Sequence, residues 1–114
     1  MDLTCEGIED ALVVRVNEER IDAAVAIRFK DRMRELTAGG GGRVVLDLSR
    51  VAFVDSSGLG AIVSVMKFLA PDRQLELAGL TPNVGNVFRL TRMNSVIPIH
   101  AEAPTRGEAG RNVH

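Results

Sequence analysis

The chain has 114 residues, of which 46% are hydrophobic and 25% charged, and its formal net charge is −1. This composition is typical of one globular domain, and it provides no basic surface for nucleic acid or an anionic membrane. With no Trp, no Tyr and four Phe, the chain has few aromatic side chains on which bases could stack. We therefore expect neither direct nucleic-acid binding nor membrane association.

The apolar segments, the single cysteine and the two histidines argue against a secreted protein, a membrane protein and a metalloprotein. The first ten residues lack the apolar stretch of a secretory signal, and the apolar region at 51–70 carries charges that a membrane span would exclude. Cys5 is the only cysteine, so no internal disulfide can form, and we expect a protein of the reducing cytoplasm. We expect the Cys5 thiol itself to be buried as a small apolar side chain. His100 and His114 have no zinc-ligand spacing. We predict no metal site and no cofactor.

The first half of the chain predicts two strands, a helix and a loop. β-branched residues indicate strands around residues 3–6 and 11–16. Apolar residues three and four apart then predict a helix over residues 23–37 with Asp22 as its cap. The glycines at 39–42 form a loop, because they precede a strand and lack the Lys-Ser/Thr ending of a phosphate-binding loop.

The second half continues the alternation. A nearly continuous apolar run over residues 43–48 predicts a strand buried on both faces. A strand around residues 74–77 follows the next helix, and Thr81 with Pro82 marks the start of a third helix. Residues 96–99 predict a last strand. The buried side of the second helix is expected to carry Leu59, Ile62, Val63, Met66 and Leu69.

The order of these elements predicts the fold and its limits. Strands that alternate with helices indicate an α/β domain with a small mixed sheet of four to five strands, flanked by about three to four helices. We expect this single domain to span residues 1–102. Residues 103–114 are rich in Pro, Gly and charge with little to bury, which predicts a flexible C-terminal tail.

The most distinctive segment places Asp55, Ser56, Ser57 and Gly58 between an apolar strand and the second helix. Backbone N–H groups at a helix N-terminus are unpaired and favour negative charge, so this position would tolerate a phosphate on Ser56. Glycine at position 58 allows another backbone to approach closely. The segment predicts a serine that is modified as a switch, and it leaves open a plain capping role for both serines.

Hydrolysis by Ser56 is a second interpretation of the same segment. A nucleophile elbow has glycine two residues before and two residues after its serine. Ser56 has Val54 and Gly58 at these positions, and His100 is the one credible base. Because half of the signature is missing, we expect no catalytic residue and no enzymatic activity.

Several segments resemble the STAS domains, and among these the bacterial anti-sigma factor antagonists. The matching residues are Val-Leu-Asp-Leu at 45–48, Phe-Val-Asp-Ser-Ser-Gly-Leu-Gly at 53–60, Arg-Ile-Asp-Ala-Ala at 20–24, Thr-Pro-Asn-Val at 81–84 and Phe-Arg-Leu at 88–90. The resemblance covers about residues 3–101. The Asp-Ser-Ser-Gly-Leu-Gly segment, with its strand before and its helix after, is the most specific part of the resemblance.

The resemblance implies a partner-switching role. In this family the unphosphorylated antagonist binds an anti-sigma factor that is itself a serine kinase, which frees the sigma factor. The kinase phosphorylates the first serine of the motif, here Ser56, and a PP2C-type phosphatase reverses the reaction. The implied partner-binding residues are Asp22, Asp55, Ser56, Ser57, Gly58 and Leu59. We expect a monomer when the protein is free. The alternative is a STAS scaffold subunit of a transporter or larger signalling complex, without phosphorylation.

Two positions depart from the family pattern. Glu19 stands where the family usually has glycine, so the turn before Arg20 must form without the conformational freedom of glycine. Asn94 stands where the family often has glycine in the last helix-to-strand connection. Asn tolerates a left-handed backbone, so we expect this second change to cost little.

Overall fold

The computed structural model describes residues 1–39 and 42–105; Gly40, Gly41 and most of the predicted tail (residues 106–114) lie outside this description. The described residues form seven strands and three α-helices. In chain order they are β1 Leu3–Ile8, β2 Ala11–Val16, β3 Arg20–Ile21, α1 Ala26–Thr37, β4 Gly42–Asp47, β5 Phe53–Val54, α2 Ser56–Leu69, β6 Arg73–Ala78, α3 Pro82–Leu90 and β7 Ile99–His100. The predicted α/β fold with a small mixed sheet is confirmed.

The main sheet has five strands in the order β1-β2-β4-β6-β7. β1 is antiparallel to β2, whereas β2, β4, β6 and β7 run parallel. β3 and β5 form a separate parallel pair, in which Arg20 lies opposite Phe53 and Ile21 opposite Val54. The sequence did not indicate this second sheet, because a strand of two residues is too short to show an alternating pattern.

The main core lies between one face of the five-stranded sheet and the helices. Side chains alternate between the faces of a strand, so every second strand residue points into this core. The fully buried strand residues of this core include Val14, Val44, Leu46 and Leu77, and those of the helices include Phe29, Met33, Ile62 and Phe88. Each such side chain stabilises the fold by about 1.5–3 kcal/mol. The core fixes α2, and with it the position of the serine segment.

The other face of the sheet carries a smaller apolar cluster rimmed by charge. Its members are Ile8, Ala11, Val13, Val45, Ala78 and Ala103. At its rim, Arg15 Nε lies 3.1 Å from Asp47 Oδ2, and Arg43 Nη2 lies 2.9 Å from Glu76 Oε1. Burial alone would raise the pKa of Asp47, but hydrogen bonds from Ser49 and Arg15 outweigh it and hold this pKa below its ordinary value. Ala103, near the end of the described residues, packs in this cluster.

Several predicted boundaries were wrong. α1 begins at Ala26, three residues later than predicted, because the segment before it forms a turn in which the backbone N–H of Val25 donates to the carbonyl of Asp22. Asp22 therefore caps this turn, and its Oδ1 accepts from the N–H of Ala24 at 3.1 Å. The last strand is Ile99–His100. Cys5 is exposed, because it lies on the edge strand β1.

The buried face of the second helix differs in part from the predicted one. α2 spans Ser56–Leu69, and its buried residues are Gly58, Ala61, Ile62, Val65 and Leu69. Of the five residues predicted on the buried side, Ile62 and Leu69 are buried, whereas Leu59, Val63 and Met66 are only half-buried. Val65 is buried and was not predicted. The shift arises because Gly58 and Ala61, the small residues of the first turns, face inward and bring the helix close to the sheets.

Candidate functional site

The site is built where β5 ends and α2 begins. Asp55 has an extended backbone (φ −92°, ψ −175°) and is the N-cap residue of α2. Its Oδ1 accepts a hydrogen bond from the N–H of Gly58 at 2.8 Å, and its carbonyl accepts the first helical bond from Leu59 at 2.8 Å. Asp55 therefore satisfies an otherwise unpaired amide of the first turn. The capping role considered for Ser56 and Ser57 is wrong.

The second carboxylate oxygen of Asp55 reaches across to the segment before α1. Its Oδ2 accepts from the N–H of Ala23 at 3.2 Å. Asp22, which follows β3 as Asp55 follows β5, accepts from Ala24 through Oδ1 and from Arg20 Nε through Oδ2, at 3.1 and 3.2 Å. The two aspartates thus lie at the same end of the small sheet. Each carboxylate is occupied by hydrogen bonds within this chain.

The two serines occupy the first two positions of α2, and both are exposed. In the part of the chain that is described, neither hydroxyl makes a hydrogen bond to another protein group. A hydroxyl at this position can be modified without breaking a contact of the fold. Nearby backbone N–H groups and the positive end of the helix dipole favour negative charge there.

Gly58 and Leu59 lie beneath the serines. Gly58 is buried, and its Cα packs against the carbonyl of Ile21 in β3. Leu59 is half-buried and packs against the main core. The structure therefore brings Asp22, Asp55, Ser56 and Ser57 together at one surface. It places Gly58 below that surface, where it permits the close approach of β3.

A base for hydrolysis is not found beside the serines. Nε2 of His100 lies 2.7 Å from Oε1 of Glu76, on the sheet face that carries the smaller cluster. No hydrogen bond among the described residues joins His100 to Ser56 or Ser57. The geometry gives no support to a nucleophile–base pair.

Two residues of this surface, Arg20 and Phe53, were not predicted from the sequence. Phe53 is 39% exposed, and the guanidinium carbon of Arg20 lies 4.3 Å from the centre of its ring. Because Ile21 and Val54 are buried, alternation turns Arg20 and Phe53 outward on the small sheet. Only knowledge of the pairing between β3 and β5 reveals this contact.

The structure shows how the chain accommodates the two departures from the family pattern. The turn at Glu19 forms without a left-handed backbone, and the carbonyl of Glu19 accepts from the N–H groups of Ala52 and Phe53 at 2.8 and 3.3 Å. Asn94 lies in a short 3₁₀ turn, Met93–Ser95. The left-handed residue of that connection is Arg92, with φ +61°.

Residues 1–39 and 42–105 contain no group of three or more His, Cys, Asp or Glu side chains arranged to hold a metal ion. Within the same ranges, no helix has the length and apolar character needed to cross a membrane.

The fold, with Asp55-Ser56-Ser57-Gly58 at the start of α2, is that of a STAS domain. The STAS domain family model matches residues 2–105, and the chain belongs to this family. Over 100 residues the chain is 30% identical to BtrV of Bordetella bronchiseptica. The matched region covers 87% of this chain and 85% of BtrV. It is 33% identical over 81 residues to the anti-sigma-B factor antagonist of Listeria monocytogenes, covering 69% and 70% of the two chains.

Solved structures share the fold. The anti-sigma factor antagonist SpoIIAA in its unphosphorylated form superposes with a TM-score of 0.69 at 20% identity, over 98% of this chain and 96% of that chain. SpoIIAA of Bacillus in its phosphorylated form gives a TM-score of 0.63 at 19% identity, over 99% and 100%. At this identity the likeness concerns the fold alone.

Proposed function

We propose that this protein is an anti-sigma factor antagonist that acts by partner switching, with Ser56 as its phosphate acceptor. The observation that carries the proposal is the state of the Ser56 hydroxyl: it is exposed and makes no hydrogen bond to the described residues. Asp55 performs the capping that a serine at this place would otherwise perform. A phosphate on Ser56 therefore changes the surface and leaves the fold intact.

The physical consequence of the phosphate depends on what faces it. A phosphoserine carries about −1.5 to −2 charge and three acceptor oxygens. In the free protein the start of α2 accommodates that charge. When a partner packs against the same surface, the phosphate lies beside the carboxylates of Asp22 and Asp55 and must lose its water. Repulsion and desolvation then favour release.

The proposed partner is an anti-sigma factor with serine kinase activity. The unphosphorylated protein binds it and frees the sigma factor, and phosphorylation of Ser56 ends the complex. A PP2C-type phosphatase restores the binding form. In this proposal the chain is a kinase substrate and a binding protein, and it catalyses no reaction itself. It is a monomer when free, and it acts in the cytoplasm. The name of the Listeria relative, an anti-sigma-B factor antagonist, supports the choice of an anti-sigma factor as the partner.

The proposed contact surface consists of Asp22, Asp55, Ser56, Ser57 and Leu59, with Gly58 supporting it from below. Both serines are exposed and without a hydrogen-bonded partner in the described chain, so geometry alone does not separate them. The family resemblance favours Ser56, because it is the first serine of the motif. Ser57 is therefore the matched control.

The first experiment tests the phosphate acceptor. The purified protein is incubated with ATP and each serine-kinase anti-sigma factor encoded in the same genome, and its intact mass is measured. One phosphate is expected on the wild type and on Ser57→Ala, and none on Ser56→Ala. A phosphate that persists on Ser56→Ala, or that disappears only in Ser57→Ala, contradicts the assignment.

A second experiment separates the switch from the scaffold interpretation. Ser56→Ala and Ser56→Asp are used as baits in native lysate, and the captured proteins are identified by mass spectrometry. Capture of a kinase-like protein by the Ala bait alone supports the switch. If both baits capture the same transporter subunits, Ser56 does not act as a charge switch.

A further inference from the structure

The outward face of the small sheet carries a preformed arginine–phenylalanine pair. Arg20 lies opposite Phe53 in the β3–β5 register, and its guanidinium carbon is 4.3 Å from the ring centre. The Arg20 side chain is 58% exposed, and Asp22 Oδ2 holds its Nε at 3.2 Å. The pair is therefore on the surface but fixed in place from two sides. Arginine and aromatic residues, phenylalanine among them, are enriched in protein interfaces relative to the rest of the surface.

The hydrogen-bonding capacity of this surface is unevenly used. Both oxygens of Asp55 and both oxygens of Asp22 already accept hydrogen bonds within the chain. Within the described residues, Arg20 donates one side-chain hydrogen bond, from Nε to Oδ2 of Asp22. No hydrogen bond within the described residues engages its two Nη groups, and a planar guanidinium with unengaged Nη groups binds a carboxylate through two parallel hydrogen bonds. Among the side-chain donors of this face that the fold leaves unused, the hydroxyls of Ser56 and Ser57 are neutral, and the Nη groups of Arg20 carry the positive charge.

We propose that Arg20, stacked on Phe53, is the specificity-determining contact for the anti-sigma factor, and that the partner presents an acidic side chain beside an apolar patch. This inference rests on the proposed function. The acidic side chain pairs with the Nη groups of Arg20, and the apolar patch covers the exposed edge of Phe53. Because Asp22 and Phe53 hold the guanidinium before binding, little side-chain entropy is lost on contact. A partner that presents a basic residue here is rejected by like charge.

The chain contains a matched control for this proposal. Arg34 lies over the ring of Phe68 at 4.4 Å, so it forms a second pair of the same chemistry. Phe68 lies about 18 Å further along α2 than Ser56, by the rise of an α-helix. Arg34→Glu therefore makes the same change in charge and breaks the same kind of stack, but away from the proposed interface.

The test measures binding by isothermal titration calorimetry, using each serine-kinase anti-sigma factor encoded in the same genome as the probe. Wild type, Arg20→Glu, Arg20→Gln and Arg34→Glu are compared, and circular dichroism verifies their folding. For the factor that binds the wild type, we expect Arg20→Glu to weaken affinity at least about tenfold and Arg20→Gln to weaken it less. Arg34→Glu should stay within about twofold. The loss at Arg20→Glu should shrink as salt rises.

The outcomes separate this inference from the function on which it rests. If a kinase binds the wild type and both Arg20 variants equally well, or if Arg34→Glu weakens binding as much as Arg20→Glu, the assignment of Arg20 is overturned while the antagonist function stands. If none of the kinases binds the wild type, the proposed function fails and this inference falls with it.

Discussion

Gly58 packs directly against the backbone carbonyl of Ile21. A Cβ atom at position 58 would overlap the oxygen and lie 2.7 Å from the carbonyl carbon of that residue. Because the opposing atoms belong to the backbone of a paired strand, they cannot turn aside as a flexible side chain would. The contact lets β3 lie against the first turn of α2, which brings Asp22 and Ala23 to Asp55. Packing thus explains the glycine of the serine segment.

Gly58→Ala is expected to be strongly destabilising. The added methyl group forces β3 and α2 apart, and overpacking of this kind lowers the free energy of unfolding by about 1–3 kcal/mol or more. Gly60 is the control in the same helix, because a Cβ there meets nothing within 4 Å. Gly60→Ala should raise the free energy of unfolding by about 0.5–1 kcal/mol. Urea denaturation followed by circular dichroism measures both, and equal effects would contradict the packing explanation.

Asp55 should be the most sensitive polar residue of the site for stability. Asp55→Ala removes the cap at Gly58 and the bond to Ala23 together, so the free energy of unfolding should fall by about 1–3 kcal/mol. Asp55→Asn keeps one acceptor oxygen and should lose less. Thermal denaturation of the three proteins gives the order. An Asn variant less stable than the Ala variant would show that the two hydrogen bonds are not the cause.

Ser56 should behave in the opposite way, because its hydroxyl has no hydrogen-bonded partner among the described residues. Ser56→Ala is expected to change the free energy of unfolding by less than about 0.5 kcal/mol. Ser56→Asp places negative charge at the start of α2 and should add about 0.3–1 kcal/mol. Denaturation in urea at low ionic strength tests both values. A large loss in either variant would mean that the serine supports the fold, which would weaken its use as a switch.

The sequence predicts those parts of the fold that have long periodic patterns or a distinctive local chemistry. The apolar run of β4 and the spacing along α2 specify a buried strand and a helix, and Thr81 followed by Pro82 marks the start of α3. The Asp-Ser-Ser-Gly segment predicts the candidate site for a similar reason, because its four residues are adjacent in the chain and mark the start of a helix.

What the sequence does not reveal depends on contacts between distant segments. The β3–β5 pair joins residues 20–21 to residues 53–54, and neither segment is long enough to show a period. The Asp55–Ala23 bond and the Arg20–Phe53 stack exist only because of that pair. The start of α1 was misplaced for a related reason: Asp22 and Asp55 hold residues 23–25 in a turn, which overrides their helical spacing.

Glu76 should make the free energy of unfolding depend on pH in the acidic range. Hydrogen bonds from Arg43, at 2.9 and 3.0 Å, hold the pKa of Glu76 below its ordinary value; burial opposes this, and the contact with His100 adds to it. A carboxyl whose pKa is lower in the folded state stabilises the fold above its unfolded pKa of about 4.3. This contribution is lost as the pH falls through the lower folded pKa.

Glu76→Gln tests this dependence. At pH 7 the variant should lose about 1–3 kcal/mol, because Arg43 and His100 lose a charged acceptor. The difference from the wild type should shrink as the pH falls below about 4, where the wild-type carboxyl also becomes neutral. Asp31→Asn is the control, since Asp31 is an exposed residue of α1. Denaturation at pH 3 to 7 measures both variants, and a constant difference for Glu76→Gln would contradict the linkage.

Arg92 carries the strain of the connection between α3 and the 3₁₀ turn. Its φ of +61° is in the left-handed region, where an L-residue with a Cβ is less stable than glycine by about 1–2 kcal/mol. Glycine recovers this energy but loses about 0.5–1 kcal/mol through the greater freedom of the unfolded chain. Arg92→Gly should therefore raise the free energy of unfolding by up to about 1 kcal/mol. Arg92→Ala, which keeps the Cβ, should not. Urea denaturation of both variants isolates the backbone term, because each lacks the arginine side chain. An Ala variant as stable as the Gly variant would mean that the left-handed backbone costs nothing here.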